Sequence, residues 1–150
     1  MLISDGTFAP ASEIIRDTPR SMSDATMKWL DFALERGGVI QSYVDDQVNF
    51  YAQFSTTVVL EGVRFCVLNL LVGNSFAFGK CFDPSKHDAC LMWRHISADK
   101  VLVSLYSDNR YPTQHHLGNI AKKFGGGGHA GAAGFTTTLP WICGLLSKAV

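Results

Sequence analysis

Four consecutive glycines followed by a histidine, Gly125 to His129, are the residues of this chain best suited to bind a ligand. Each glycine costs about 0.5 to 1 kcal/mol of backbone entropy relative to alanine, so a run of four needs a physical reason. A concave series of backbone N–H groups binds an anion and lets a phosphate approach without a Cβ in the way. His129 adds a directed hydrogen bond, and a positive charge when protonated. The run therefore predicts a phosphate-binding nest, with a flexible loop as the alternative.

Two well-known phosphate loops do not fit this segment. A Walker A loop requires Lys followed by Ser or Thr after the glycines, and neither pair is present. Gly126, Gly128 and Gly131 match the G-x-G-x-x-G spacing. In a dinucleotide-binding fold that motif follows a strand and opens a helix, whereas here it follows a predicted helix and precedes a predicted strand. The sequence therefore argues against a Rossmann site.

The secondary structure expected around the glycine run changes along the chain from helices to mostly strands. Residues 12–54 have apolar positions at three- and four-residue spacing, which predicts helices, with Ser21 and Ser23 as caps and Gly37-Gly38 ending or loosening the first. After residue 55 the pattern is mostly that of strands. A hairpin is expected at Glu61-Gly62, and further elements are expected at 74–80 (helical), 90–96 and 101–106 (strands), 113–124 (helix), 132–138 (strand) and 140–148 (helix). The fold class is therefore α/β: a mixed β-sheet of about five strands flanked by helices, preceded by a helical region, with domains at 1–54 and 55–150.

Composition excludes several classes of function. Thirteen basic and thirteen acidic residues give a formal net charge of zero, which disfavours a protein held on long duplexes by counterion release. The four cysteines show no close pairing of the kind that zinc sites use, so they are expected to be free in a reducing cytoplasm. The longest apolar stretch is interrupted by Arg64 and Asn69 and is too short to span a bilayer. A soluble, cytoplasmic protein is expected.

The segment Ile120 to His129, continuing through Ala132 to Phe135, resembles the signature of the DHH-associated C-terminal domain of DHH-family phosphoesterases. That family includes nano-RNases, phosphoadenosine phosphatases, RecJ-type exonucleases and exopolyphosphatase-like proteins. Val101 to Ser107 is similar to the family's strand that ends in Ser-x-Arg-Ser, and Val58 to Asn69 is similar to its opening hairpin. The resemblance implies that residues 55–150 are this substrate-binding domain and that residues 1–54 are the connector to a catalytic domain.

The resemblance also implies what the site residues do. The glycine–histidine loop would clamp a phosphate or a terminal nucleotide, with Gly126, Gly127, Gly128 and His129 in the binding role. Two manganese ions in the separate catalytic domain would activate water, because hard cations bridged by carboxylates position the attacking water. Gln114-His115-His116 resembles the family's Asp-His-His triplet only superficially, since a glutamine replaces the carboxylate. No catalytic residue, metal ligand or cofactor is therefore expected in this chain.

Two positions depart from the family's pattern or compensate for the departure. Tyr106 follows Ser104 in the strand where the family has an arginine, and a tyrosine brings no charge to a phosphate. Tyr106 is either a base-stacking residue or an ordinary strand aromatic. Arg110 is the predicted substitute cation, and Ser104, Tyr106 and Arg110 complete the predicted binding set.

Three functional hypotheses remain open on these residues. The first is the substrate-binding half of a phosphoesterase acting on short oligonucleotides or nucleotides, inactive without a catalytic domain supplied in cis or in trans. The second is a stand-alone module that binds nucleotides or nucleic-acid ends, and the third is an inactive remnant. The predicted partners are a phosphate-containing substrate, the catalytic domain and, through the helical region, a second copy in a homodimer, with no membrane partner.

Overall fold

The computed structural model describes residues 24–71 and 75–149 of the chain. The described residues form three α-helices, one short 3-10 helix and six strands. In chain order the elements are α1 (Asp24–Ala52), β1 (Thr56–Leu60), β2 (Val63–Asn69), the 3-10 helix (Ser75–Phe78), β3 (Ala89–His95), β4 (Lys100–Tyr106), α2 (Leu117–Lys123), β5 (Gly127–Gly128), β6 (Ala132–Thr138) and α3 (Leu139–Leu146). The predicted α/β class is confirmed, with six strands where about five were expected.

The strands form one mixed sheet in the order β1-β2-β3-β4-β6-β5. The β2–β3 pair is parallel and the other four pairs are antiparallel. Glu61 and Gly62 join β1 to β2 with φ angles of +53° and +77°, the two left-handed positions that a tight hairpin turn needs. This confirms the hairpin predicted at Glu61-Gly62.

The two faces of the sheet are covered differently. On one face, alternate residues of β4 (Val101, Val103 and Leu105) are fully buried in the main core together with Leu117 of α2 and Ile142 of α3. On the other face, a second cluster packs the segment around Phe78 and Phe82 against β2 and β3, with Cys66, Leu68, Cys90 and Met92 among its members. Leu102, Ser104 and Tyr106, on this second face of β4, are only half-buried. Among the described residues, these side chains form a partly exposed strip of the sheet at the edge of the second cluster.

The helical region differs from its prediction in one respect. Helix α1 runs without a break through Gly37 and Gly38, so the expectation that these glycines end the helix was wrong. Each glycine costs about 1 kcal/mol in a helix interior, and the strong helix formers of Ala33 to Arg36 directly precede the pair. The predicted helical residues 12–23, with the capping Ser21 and Ser23, lie outside the described residues.

The described residues fall into two compact units that separate between Asp46 and Gln47. The first unit is the N-terminal part of α1, and the second holds the sheet, α2 and α3. The predicted division into 1–54 and 55–150, with its two roles, stays a prediction. None of the helices in the described ranges is long and apolar enough to cross a membrane.

The helix expected at 113–124 begins later than predicted. Its first residue is Leu117, because His116 is the N-cap and its Nδ1 accepts a hydrogen bond from the N–H of Asn119 at 3.3 Å. Residues 113–116 instead form an irregular segment with a bend at Gln114 and His115, and the Thr113 N–H donates to Ser107 Oγ at 3.1 Å. The last helix begins as predicted at the Pro140 turn but ends at Leu146.

Candidate functional site

The glycine run begins as the end of helix α2. The N–H of Gly125 donates to the carbonyl of Lys122 at 3.1 Å, and the N–H of Gly126 donates to that of Ala121 at 3.0 Å. With φ of +77° at Gly125, this is the Schellman arrangement that terminates helices at a left-handed glycine. Gly125 therefore serves to end helix α2.

The next three glycines differ in the space around them. A Cβ at Gly126 would lie 2.1 Å from the carbonyl oxygen of Gly134, and one at Gly128 would lie 2.5 Å from that of Ala132. Gly128 also has a φ of +142°, which side chains rarely adopt. A Cβ at Gly127 would meet nothing within 4 Å. Gly126 and Gly128 are therefore required by close backbone packing, and Gly127 alone of the three has open space before it.

Gly127 and Gly128 form β5, a strand that the sequence did not predict. They pair with Gly134 and Ala133 of β6, and the N–H of His129 extends the ladder by donating to the Ala132 carbonyl at 2.7 Å. Two residues are too few to show a strand periodicity, and glycine has a low strand propensity. The glycine segment is consequently an ordered sheet edge.

The turn at His129 to Gly131 closes onto the start of helix α2. The carbonyls of Ala130 and His129 accept hydrogen bonds from the N–H groups of Leu117 and Gly118, both at 3.0 Å. These are amides of the first helical turn, which have no partner within a helix. The start of α2 is therefore occupied by the turn and is closed to a phosphate.

The predicted nest of consecutive free amides needs correction in its geometry. The N–H groups of Gly125, Gly126 and His129 donate to carbonyls of the chain itself. Among the described residues, those of Ala130 and Gly131 in the exposed turn have no acceptor. The donors available to an anion thus lie one or two residues further along the chain, beside the exposed His129 side chain.

Strand register brings several predicted residues onto one face of the sheet. Ser104 pairs with Gly134, which pairs with Gly127, and Tyr106 pairs with Ala132 beside His129. Because side chains alternate between faces along a strand, these positions share the face opposite α2 and α3. The partly exposed strip of β4 and the histidine turn therefore adjoin one another.

Arg110, the predicted substitute cation, is held by a neighbouring carboxylate. Its Nη2 lies 2.9 Å from Asp108 Oδ2 and its Nε lies 3.1 Å from Asp108 Oδ1. Its Nη1 donates to the carbonyl of Gly79 at 3.2 Å. The ion pair neutralises the guanidinium, and the three hydrogen bonds together use three of its five N–H donors. Arg110 stays a predicted binding residue, but the structure shows it committed to other contacts.

Arg94 on β3 is a cation that the sequence analysis did not single out. It is exposed, pairs with Leu102 of β4, and its Nη1 donates to the Leu71 carbonyl at 3.2 Å. A small hollow of about 60 Å³ lies beside it, lined by Met92, Arg94, Leu102, Ser104 and Tyr106. The available signal was the strand alternation, which places Arg94 on the same face as Met92, but the neighbours across the sheet follow only from the register.

A larger cleft of about 450 Å³ lies along the loop after β4. It is lined by Pro84, His87, Asp88, Arg110, Tyr111, Pro112, Thr113, Gln114 and His115. Its polar groups are largely paired: Arg64 binds Asp88 through Nη2 at 2.7 Å and Nε at 3.0 Å, and these hydrogen bonds lower the pKa of the Asp88 carboxyl to about 2. The cleft therefore presents few free charges.

His87 is the buried ring in the wall of this cleft. Its Nδ1 accepts from the Asp83 N–H at 3.0 Å, so the proton is on Nε2, which donates to Thr57 Oγ1 at 2.9 Å. Burial lowers the pKa of His87, so the unfolded chain binds the extra proton first as pH falls. We expect stability to be complete above about pH 6.5 and to fall below it, by at most about 1.4 kcal/mol per pH unit. Denaturant titrations at pH 7 and pH 5 would measure this loss.

The control for this prediction is His87→Gln. The variant should be less stable than the original chain at pH 7, because its side chain cannot reproduce both hydrogen bonds. It should also lose less stability between pH 7 and pH 5. Equal pH slopes in the two proteins would show that His87 is not the group that takes up the proton.

Within residues 24–71 and 75–149, no three His, Cys, Asp or Glu side chains come together in a way that could hold a metal ion. Gln114 and His115 line the cleft, and His116 caps α2. The described residues therefore do not fit the manganese pair that the family resemblance implies for the other domain.

Comparison with solved structures identifies a protein of similar fold. A pGpG-specific phosphodiesterase from Vibrio cholerae, PggH, matches with a TM-score of 0.53 and 13% sequence identity. The match covers 93% of this chain and 57% of PggH, so the chain spans less than two thirds of that protein's length. The chain therefore shares its fold with part of PggH.

Other comparisons add little to this result. An uncharacterized protein from Helicobacter pylori matches over 53% of this chain and 22% of its own, at 16% identity, with a TM-score of 0.38 that is too low to support an argument. No protein-family model and no curated protein matches the sequence. Membership of the DHH-associated family, suggested by the glycine motif, stays a prediction.

Proposed function

We propose that this chain is the part of a DHH-type phosphoesterase that binds the phosphate end of a nucleotide or short oligonucleotide. The observation that carries the proposal is the shared sheet face, on which Gly127, Ser104 and Tyr106 adjoin the exposed turn at His129. The similarity of fold to a phosphodiesterase specific for pGpG is consistent with it.

The groups on this face suit the two parts of a nucleotide. The Ser104 hydroxyl can donate to phosphate oxygens, and a His129 ring nitrogen and the free amides of Ala130 and Gly131 can donate to acceptors at the Tyr106 end of the ligand, either a second phosphate or the edge of the base. Tyr106 offers a half-buried aromatic ring on which a base can stack. Gly127 leaves the backbone approachable from this side. Together these groups favour a ligand with both a phosphate and a base.

Hydrolysis would need groups from elsewhere. We propose that the manganese ions belong to a separate catalytic domain, in cis or in trans, that closes over this face. Helix α1 carries a set of exposed apolar side chains against which such a domain, or a second copy, could pack: Trp29, Phe32, Val39, Ile40, Tyr43 and Val44. The chain by itself is then a binding partner in the reaction and supplies no attacking water.

The test is a titration of the purified chain with AMP and with pGpG, compared with His129→Ala. We expect micromolar to millimolar binding that weakens about threefold to tenfold in the variant, because a hydrogen bond to the ligand is lost. His95→Ala is the matched control, since His95 is an exposed histidine on β3 and should leave the affinity unchanged. Manganese added to the same mixtures should release no cleavage product.

Three results would contradict this proposal in different ways. Absence of binding to either nucleotide would remove the binding role, and equal affinity in His129→Ala would remove His129 from the site. Manganese-dependent turnover that is lost in His129→Ala would show that the chain is a complete enzyme. Melting temperatures of the variants establish that any loss of binding is not a loss of folding.

A further inference from the structure

The arginines of the sheet-containing unit differ in how their charge is used. Arg64 and Arg110 each bind a carboxylate, Asp88 and Asp108 respectively, through two nitrogens. Arg94 forms no ion pair with the carboxylates of the described residues, and its one hydrogen bond goes to the neutral carbonyl of Leu71. Arg94 therefore keeps its full charge and most of its five N–H donors.

The position of Arg94 connects it to the proposed nucleotide site. It pairs with Leu102, while its neighbour two residues back, Met92, pairs with Ser104. Arg94 and Ser104 are thus diagonal neighbours on one face, a separation that long side chains reach across. Both line the same hollow, together with Tyr106. A cation, a hydroxyl and an aromatic ring consequently follow one another along the β3–β4 pair.

We infer that Arg94 is the phosphate anchor of this site and that Ser104 provides a second donor. The inference rests on the proposed function. A guanidinium presents a planar fork that matches two phosphate oxygens, and Tyr106, which lacks a charge, cannot take that role. Arg110 is neutralised by Asp108, so it is poorly placed to do so. The ligand lies along β4, with its phosphate at Arg94 and its base toward Tyr106.

This arrangement predicts which ligands the site distinguishes. A nucleoside 5′-phosphate engages both ends of the strip, whereas a nucleoside engages the aromatic end alone. The apolar side chains of Met92 and Leu102 line the hollow between the two ends, so the phosphate contributes most of the discrimination. Because Arg94 is exposed, the contribution of its charge should weaken as ionic strength rises.

The experiment measures the affinities of AMP and adenosine for the full chain, Arg94→Gln and Arg94→Lys, at low and at moderate salt. In Arg94→Gln we expect AMP to bind about tenfold to a hundredfold more weakly, with adenosine unchanged and with less salt dependence. The affinity of Arg94→Lys for AMP should lie between those of the original chain and Arg94→Gln, because lysine keeps the charge and loses the planar fork. Lys148→Gln, which removes an exposed cation after α3, is the matched control and should behave as the original chain.

The outcomes separate this inference from the proposed function. If AMP binds, His129→Ala weakens it and Arg94→Gln does not, Arg94 is not the anchor and the proposed function stands. If Arg94→Gln weakens AMP and adenosine equally, or if Lys148→Gln has the same effect, the phosphate contact is likewise refuted. If the original chain binds neither ligand, both proposals fail. Arg94 is exposed, so all variants should melt at the same temperature as the original chain.

Discussion

Replacing Gly126 by alanine is expected to lower the free energy of unfolding by about 3 kcal/mol or more, whereas the same change at Gly127 is expected to cost nothing. The added Cβ at position 126 would lie 2.1 Å from the Gly134 oxygen and 2.5 Å from the Phe135 Cβ. The first of these is a backbone atom that cannot rotate away, so β5 or β6 must shift. Overpacking of this kind costs 1 to 3 kcal/mol and sometimes more. At roughly 2 to 4 °C per kcal/mol for a chain of this size, we expect the melting temperature to fall by about 6 °C or more.

Gly127→Ala is the matched control, with the same change of side chain one residue away. Nothing lies within 4 Å of its added Cβ, and its φ is not positive. Loss of a glycine from the unfolded chain can then stabilise the protein by up to about 1 kcal/mol. The new methyl group stands on the proposed binding face, so nucleotide affinity is expected to weaken while the melting temperature holds. Equal melting temperatures for the two variants would show that β5 and β6 are not packed this closely.

These two variants also show how far the glycine motif could be interpreted from sequence. The order of helix, glycines and strand follows from the apolar spacing on either side and is confirmed by α2 and β6. The separate structural roles of Gly125, Gly126 and Gly128 do not follow from this order of elements. They arise from the helix C-terminus, from Gly134 and from Ala132, and the last two are contacts set by strand pairing. A run of identical residues carries no signal that distinguishes its members.

The strands that could be predicted are those with local signals. The Glu61-Gly62 turn and the β-branched residues around it identify the first hairpin, and the strands expected at 90–96 and 101–106 are confirmed with shifts of one residue. The strand order and the parallel pairing of β2 with β3 join residues far apart in the chain. Local periodicity is silent about such pairings, because each strand has the same pattern whichever neighbour it has.

In the candidate site, too, contacts between residues close in sequence can be predicted, and contacts between distant strands cannot. Asp108 and Arg110 are two residues apart, and an aspartate commonly accepts a hydrogen bond from the backbone N–H two residues on. Sequence can therefore indicate this contact, and here Asp108 also binds the Arg110 side chain. No comparable local signal indicates the position of Arg94. Its place beside Ser104 depends on the register of β3 with β4. A one-residue slip of that register would place Arg94 on the opposite face.

Replacing Phe135 by alanine is expected to have the largest effect on stability of the substitutions considered. The ring is 3% exposed, stacks on Phe124 with centroids 4.8 Å apart, and meets Trp141 edge to face at 5.4 Å. Removal of a buried phenylalanine ring costs about 3 to 5 kcal/mol, as lost transfer energy and as a cavity. The melting temperature should fall by roughly 6 to 20 °C. Thermal denaturation followed by near-ultraviolet circular dichroism measures the loss of stability.

The control for the aromatic cluster is Phe54→Ala, because Phe54 is 65% exposed and its ring contact is with the exposed Phe50. Substitutions on the surface usually change stability by no more than about 0.5 kcal/mol, so the two phenylalanines should differ several-fold. Phe135 also lies directly behind the backbone of Gly126, and its loss should loosen β5 and weaken nucleotide binding at temperatures where the chain is still folded. Phe135→Leu, which keeps most of the buried volume, should recover much of both properties. If Phe135→Ala and Phe54→Ala melted alike, the aromatic cluster would not be the support of the glycine strand.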